Sequence, residues 1–159
     1  GTLNKDGVAV ENTPAFSASR GSDQTGLSAD TFTKVQFNDE EFDTNSMYDN
    51  STNYRFTPTI AGKYLCYYNL NISYDGGGAV EDIRAAFYKN GSVSTHIAAA
   101  QLKDYGSETL SLVLSLSQTS LITFNGSSDY LEVYARNDAS GGGIIKSKSN
   151  FGAYRIIGA

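Results

Sequence analysis

The chain is short of the residues that carry most enzyme and metal chemistry: 159 residues include one cysteine, one histidine, two prolines and no tryptophan. Cys66 has no partner within the chain, which excludes a disulfide-stapled scaffold and leaves a disulfide-free secreted protein open. One Cys and one His do not make a zinc site. Apolar runs last only a few residues, far below the ~20 that a membrane-spanning helix requires. Basic residues are also scarce. Twelve Lys and Arg, scattered singly, stand against 17 Asp and Glu, giving a net charge of −5. A surface that neutralises nucleic-acid phosphates needs a dense basic patch, so nucleic acid is excluded as a partner.

What is abundant points to strands. The 11 Tyr and 8 Phe suit pleated, half-buried surfaces, and the 16 Gly, with many Asn and Ser, supply turns. Runs of helix-forming Ala, Leu, Glu and Lys are missing. A chain of this length buries roughly 70% of its unfolded surface as one domain, so a core without disulfides is feasible. Residues 1–13 read as a polar lead-in and 14–159 as the domain. The opening Gly1-Thr2-Leu3, without Met, reads as the start of a piece of something longer.

Short alternating stretches follow one another from Pro14, separated by turn signals. Phe16 and Ala18 mark the first, and Phe32, Val35 and Phe37 the second. Gly21 to Asp30 reads as a loop, the acidic run at 38–41 ends the second stretch, and Phe42 to Asn53 reads as irregular. The strongest pattern is Gly62 to Ser73. It places Tyr64, Cys66, Tyr68, Leu70 and Ile72 on one face and Leu65, Tyr67, Asn69 and Asn71 on the other. Leu65 and Tyr67 are unusual for the solvent side of a sheet. Ile83, Ala85 and Phe87 alternate up to the hairpin signal Asn90-Gly91. The leucines at 110, 112, 114 and 116 and the set Leu131, Val133 and Ala135 form further strands, and Phe151 to Ile157 closes the chain. About ten strands and no helix are predicted.

Residues 54–68 read YRFTPTIAGKYLCYY. Phe56, Gly62, Tyr64 and Tyr68 in this stretch resemble the signature of the complement C1q globular-head family, a branch of the tumour necrosis factor-like (TNF-like) jelly rolls. Ala61 stands where that family has Pro, and Cys66 where it has Phe. Pro14 to Ala18, Phe32 with Val35, Phe37 and Asn38, Lys89-Asn90-Gly91, Asp129 to Tyr134, and Phe151 to Tyr154 resemble its other motifs in order. The resemblance implies an all-β, ten-stranded, two-sheet jelly roll that assembles as a homotrimer. Leu65 and Tyr67, joined by Tyr154 or Phe151, would meet neighbouring subunits; the alternative is that all four are protomer core.

No catalytic constellation stands out. His96 lies beside Ile97 without a Gly-x-Ser-x-Gly elbow, and Cys66 falls on an apolar face, where a thiol is packing rather than nucleophile. No carboxylate pair is singled out for glycoside hydrolysis, and the expectation is a non-enzyme. The Gly runs at 76–78 and 141–143 lack the Lys and helix of a phosphate loop. Asn50, Asn71, Asn90 and Asn125 head Asn-x-Ser/Thr sequons, of which Asn90 and Asn125 read as turn residues first.

Some members of the resembled family bind calcium near the trimer axis, and Asp75, Asp82 and Asp138 are the candidate ligands here; no other cofactor is expected. Asp75, Glu81, Asp82, Tyr105 and Asp138 are the expected ligand-contact loop residues. The expected function is a trimeric recognition domain, extracellular or on a virion surface. It would form the head of a fibrous protein of phage or bacterial origin, and bind a protein or glycan receptor on a cell surface. Alternatives are a carbohydrate-binding module stacking sugars on Tyr48, Tyr105 or Tyr130, and a purely structural fibre or capsid knob.

Overall fold

The structure, a computed structural model, describes residues 4–5, 8–9, 14–74, 82–94, 97–101, 113–138 and 142–156. In chain order the strands are β1 (Asn4–Lys5), β2 (Val8–Ala9), β3 (Ala15–Ser19), β4 (Gln24–Leu27), β5 (Thr33–Lys34), β6 (Asp39–Asp43), β7 (Tyr48–Asp49) and β8 (Arg55–Phe56). They continue with β9 (Gly62–Tyr74), β10 (Asp82–Lys89), β11 (Ser92–Val93), β12 (Ala98–Gln101), β13 (Val113–Phe124), β14 (Leu131–Asn137), β15 (Gly143–Ile145) and β16 (Asn150–Arg155). No helix occurs among the described residues.

Apart from the small β1–β2 ladder in the lead-in, the strands make two antiparallel sheets of seven. One runs β4-β15-β9-β16-β3-β6, with β13 on the other side of β9. The second runs β11-β10-β14-β8-β7, with β12 also on β10 and β5 on β14. The sheets pack face to face, and the alternation read from the sequence decides what lies between them. Tyr64, Cys66, Tyr68, Leu70 and Ile72 are fully buried from one side, as are Ile83, Ala85, Phe87, Leu131, Val133 and Ala135 from the other. Aromatic rings fill the centre at edge and stacked geometries that suit their quadrupoles. Phe16 stacks on Tyr48 at 4.7 Å and meets Phe151 edge-on at 4.9 Å.

The strand count exceeds ten because several pieces are two-residue ladders. Three strands lie where loops or irregular chain were expected: β4, β6 and the two-residue β7. In β4 Leu27 is buried, and the Gln24 side chain donates to the Lys34 carbonyl and accepts from the Gln36 N–H. In β6 the acidic run pairs along the edge of the first sheet, where carboxylates reach water. β13 is one continuous strand to Phe124, running on past the predicted stretch of leucines that ended at Leu116.

Turn chemistry is as the sequence suggested. Asn90 and Gly91 take left-handed φ values of 54° and 78°, and the Asn125 side-chain oxygen accepts from the N–H groups of Ser127, Ser128 and Asp129. Asp129 ties the two turns together, accepting from Lys89, Asn90 and the Asn125 N–H. Those hydrogen bonds, the Lys89 one first, hold its carboxyl below the usual range.

Candidate functional site

The outward face of the β9 sheet can be read as rows across its strands. Leu65 on β9 pairs with Leu121 on β13 at one side and with Tyr154 on β16 at the other. The next row contains Thr119, Tyr67, Gly152, Ser17 and Phe42. Beyond it lie Ser117, Asn69, Asn150 and Ser19, and then Ser115 with Asn71.

The polar rows satisfy themselves. Asn69 Nδ2 donates to Asn150 Oδ1 at 2.8 Å, and Ser115 Oγ donates to Asn71 Oδ1 at 2.7 Å. The apolar rows have no such closure. Leu121 is 56% exposed, Phe42 50% and Tyr154 37%, while Leu65 and Tyr67 are half-buried. Of the outward positions on β9, β13 and β16, only Lys63 is charged.

Gly152 keeps this face flat. A Cβ at that position would lie 2.5 Å from the Tyr67 hydroxyl and 2.6 Å from Cζ, so the Tyr67 ring lies across the glycine. A missing side chain in mid-strand allows this close approach. Ser17, the next residue in the row, is thereby buried, and its hydroxyl donates to Glu41.

Of the four expected interface residues, the structure brings Leu65, Tyr67 and Tyr154 together. Phe151 does not join them. It pairs with Tyr68, faces inward and is fully buried among Phe16, Phe37 and Tyr48. Three residues from Tyr154 on a strand with a two-residue repeat, it has to lie on the opposite face. Leu121 and Phe42 were not singled out from the sequence. Leu121 does alternate with Ile122, but its place beside Leu65 follows only from the β9–β13 register.

The loop expectations fare differently. Asp75, Glu81, Tyr105 and His96 lie outside the described residues. The Asp82 carboxylate is engaged by two guanidiniums, Arg84 Nε at 2.6 Å and Arg136 Nη1 at 3.1 Å, and Arg136 also pairs with Asp30. A carboxylate oxygen shared by two cations is a poor calcium ligand. Asp138 bonds the Asp82 carbonyl through its N–H. No group of three or more His, Cys, Asp or Glu residues with metal-site geometry occurs among the described residues.

Tyr48 cannot stack a sugar, because it is buried and its hydroxyl donates to the Phe37 carbonyl at 3.0 Å. Tyr130 is half-buried, with the Arg55 guanidinium 4.6 Å from its ring centre. Burial pushes the Cys66 thiol far above its usual range, leaving it protonated and unreactive.

Solved structures match this architecture over nearly the whole chain. The globular domain of zebrafish complement 1qA is 24% identical with a TM-score of 0.54, covering 90% of this chain and 96% of that one. The Eiger TNF of S. frugiperda is 16% identical at a TM-score of 0.61, over 92% of this chain and 96% of its own. Murine APRIL is 10% identical at 0.61, over 90% and 98%. The fold is the C1q/TNF-like jelly roll. No protein-family profile matches the sequence, and neither does any curated protein.

Proposed function

We propose that this domain is a non-catalytic recognition head that works as a homotrimer, closing three copies through the outward face of the β9 sheet. The observation that carries this is the uncharged row Leu121–Leu65–Tyr154, with Tyr67 and Phe42 in the next row, on a face where Asn69 bonds Asn150 and Ser115 bonds Asn71. Exposed apolar side chains grouped on one flat surface are costly in water and mark an interaction site. Aromatic residues with few charges are the composition of an interface centre. The row also ends on β13, which pairs only with β9 among the described strands, so a neighbour can approach from that side. A face used head to tail by three copies closes a ring.

In this reading the trimer is an extracellular or virion-surface head of a fibrous protein. It registers three chains and binds a receptor on a host cell surface. The Asn-, Ser- and Gly-rich composition without disulfides supports a phage or bacterial setting. Sedimentation of the isolated domain at micromolar concentration tests the assembly. A trimer that becomes monomeric on Leu121→Lys is expected, and a monomeric or dimeric wild type overturns it. Deleting the domain from its parent chain tests the recognition role, since loss of trimer with host attachment intact would leave a purely structural knob.

A further inference from the structure

We draw no further inference here: the strongest candidate, the free edge of β13, uncharged from Val113 to Phe124 and paired only with β9 among the described strands, borders the assembly face already described, and nothing in the structure shows what covers it.

Discussion

The two outward faces of this sandwich solve the same problem in opposite ways. Each sheet must turn one side away from the core. On β10 and β14 that side is charged, and its charges close on one another: Arg84 and Arg136 lie directly opposite, a repulsive arrangement that Asp82 bridges. On β9, β13 and β16 it is almost uncharged, and its apolar row finds no cover within the protomer. A face that satisfies itself is stable alone. A face that does not gains stability from a partner of large area. The contrast is what the proposed assembly through the first sheet rests on.

Four changes would break or sharpen that contrast. The largest expected effect is on assembly. Leu121→Lys places a charge at the β13 end of the Leu65 row and should convert trimer to monomer in sedimentation, with the far-ultraviolet circular dichroism spectrum unchanged. A trimer that survives it would put the interface elsewhere. Next is Phe151→Ala, which separates core from interface on a single strand. Removing a fully buried ring costs about 3–5 kcal/mol, a large share of the ~5–15 kcal/mol typical of a domain. Denaturant unfolding should show that loss, whereas Tyr154→Ala, at a side chain 37% exposed on the outward face, should barely move the monomer's midpoint.

The third change is Glu132→Gln. It leaves the Lys34 ammonium facing a neutral amide and should cost about 1–3 kcal/mol, because a part-buried charge loses its counterpart. An unchanged midpoint would show that the pair contributes nothing to that face. The smallest effect is on acid stability at Asp129. Its folded carboxyl titrates below the unfolded one, so its contribution is present above the unfolded pKa of about 3.9 and is lost as pH falls through the lower folded value. The gap in melting temperature between wild type and Asp129→Asn should therefore be full near neutral pH and close in strong acid. A gap that widens on acidification would reverse the sign.

Much of this was legible in the sequence, and unevenly so. The Gly62–Ser73 stretch declares both its faces, because alternation is a property of the strand itself, and every residue placed inside is buried. The edge strands were harder. Gln24 to Leu27 and Asp39 to Asp43 are polar, Gly-containing or acidic, since an edge strand needs only one covered side and charge discourages stray pairing. They read as loop or irregular chain. At the site, Leu65, Tyr67 and Tyr154 could be named because their strands advertise them, whereas Phe151, three positions from Tyr154 on the same strand, turns to the core.

By itself, then, the sequence determined the fold class, the strand-rich sandwich and which side chains of each long strand turn inward, because a two-residue repeat is written into consecutive positions. Only the tertiary structure decided which outward side chains become neighbours. Leu121, Leu65 and Tyr154 come from distant parts of the chain and share a row through hydrogen-bond register alone. Phe32 likewise reaches Tyr88 only once β5 and β10 are both laid against β14. Register is set by pairing across the whole sheet, and no local pattern contains it.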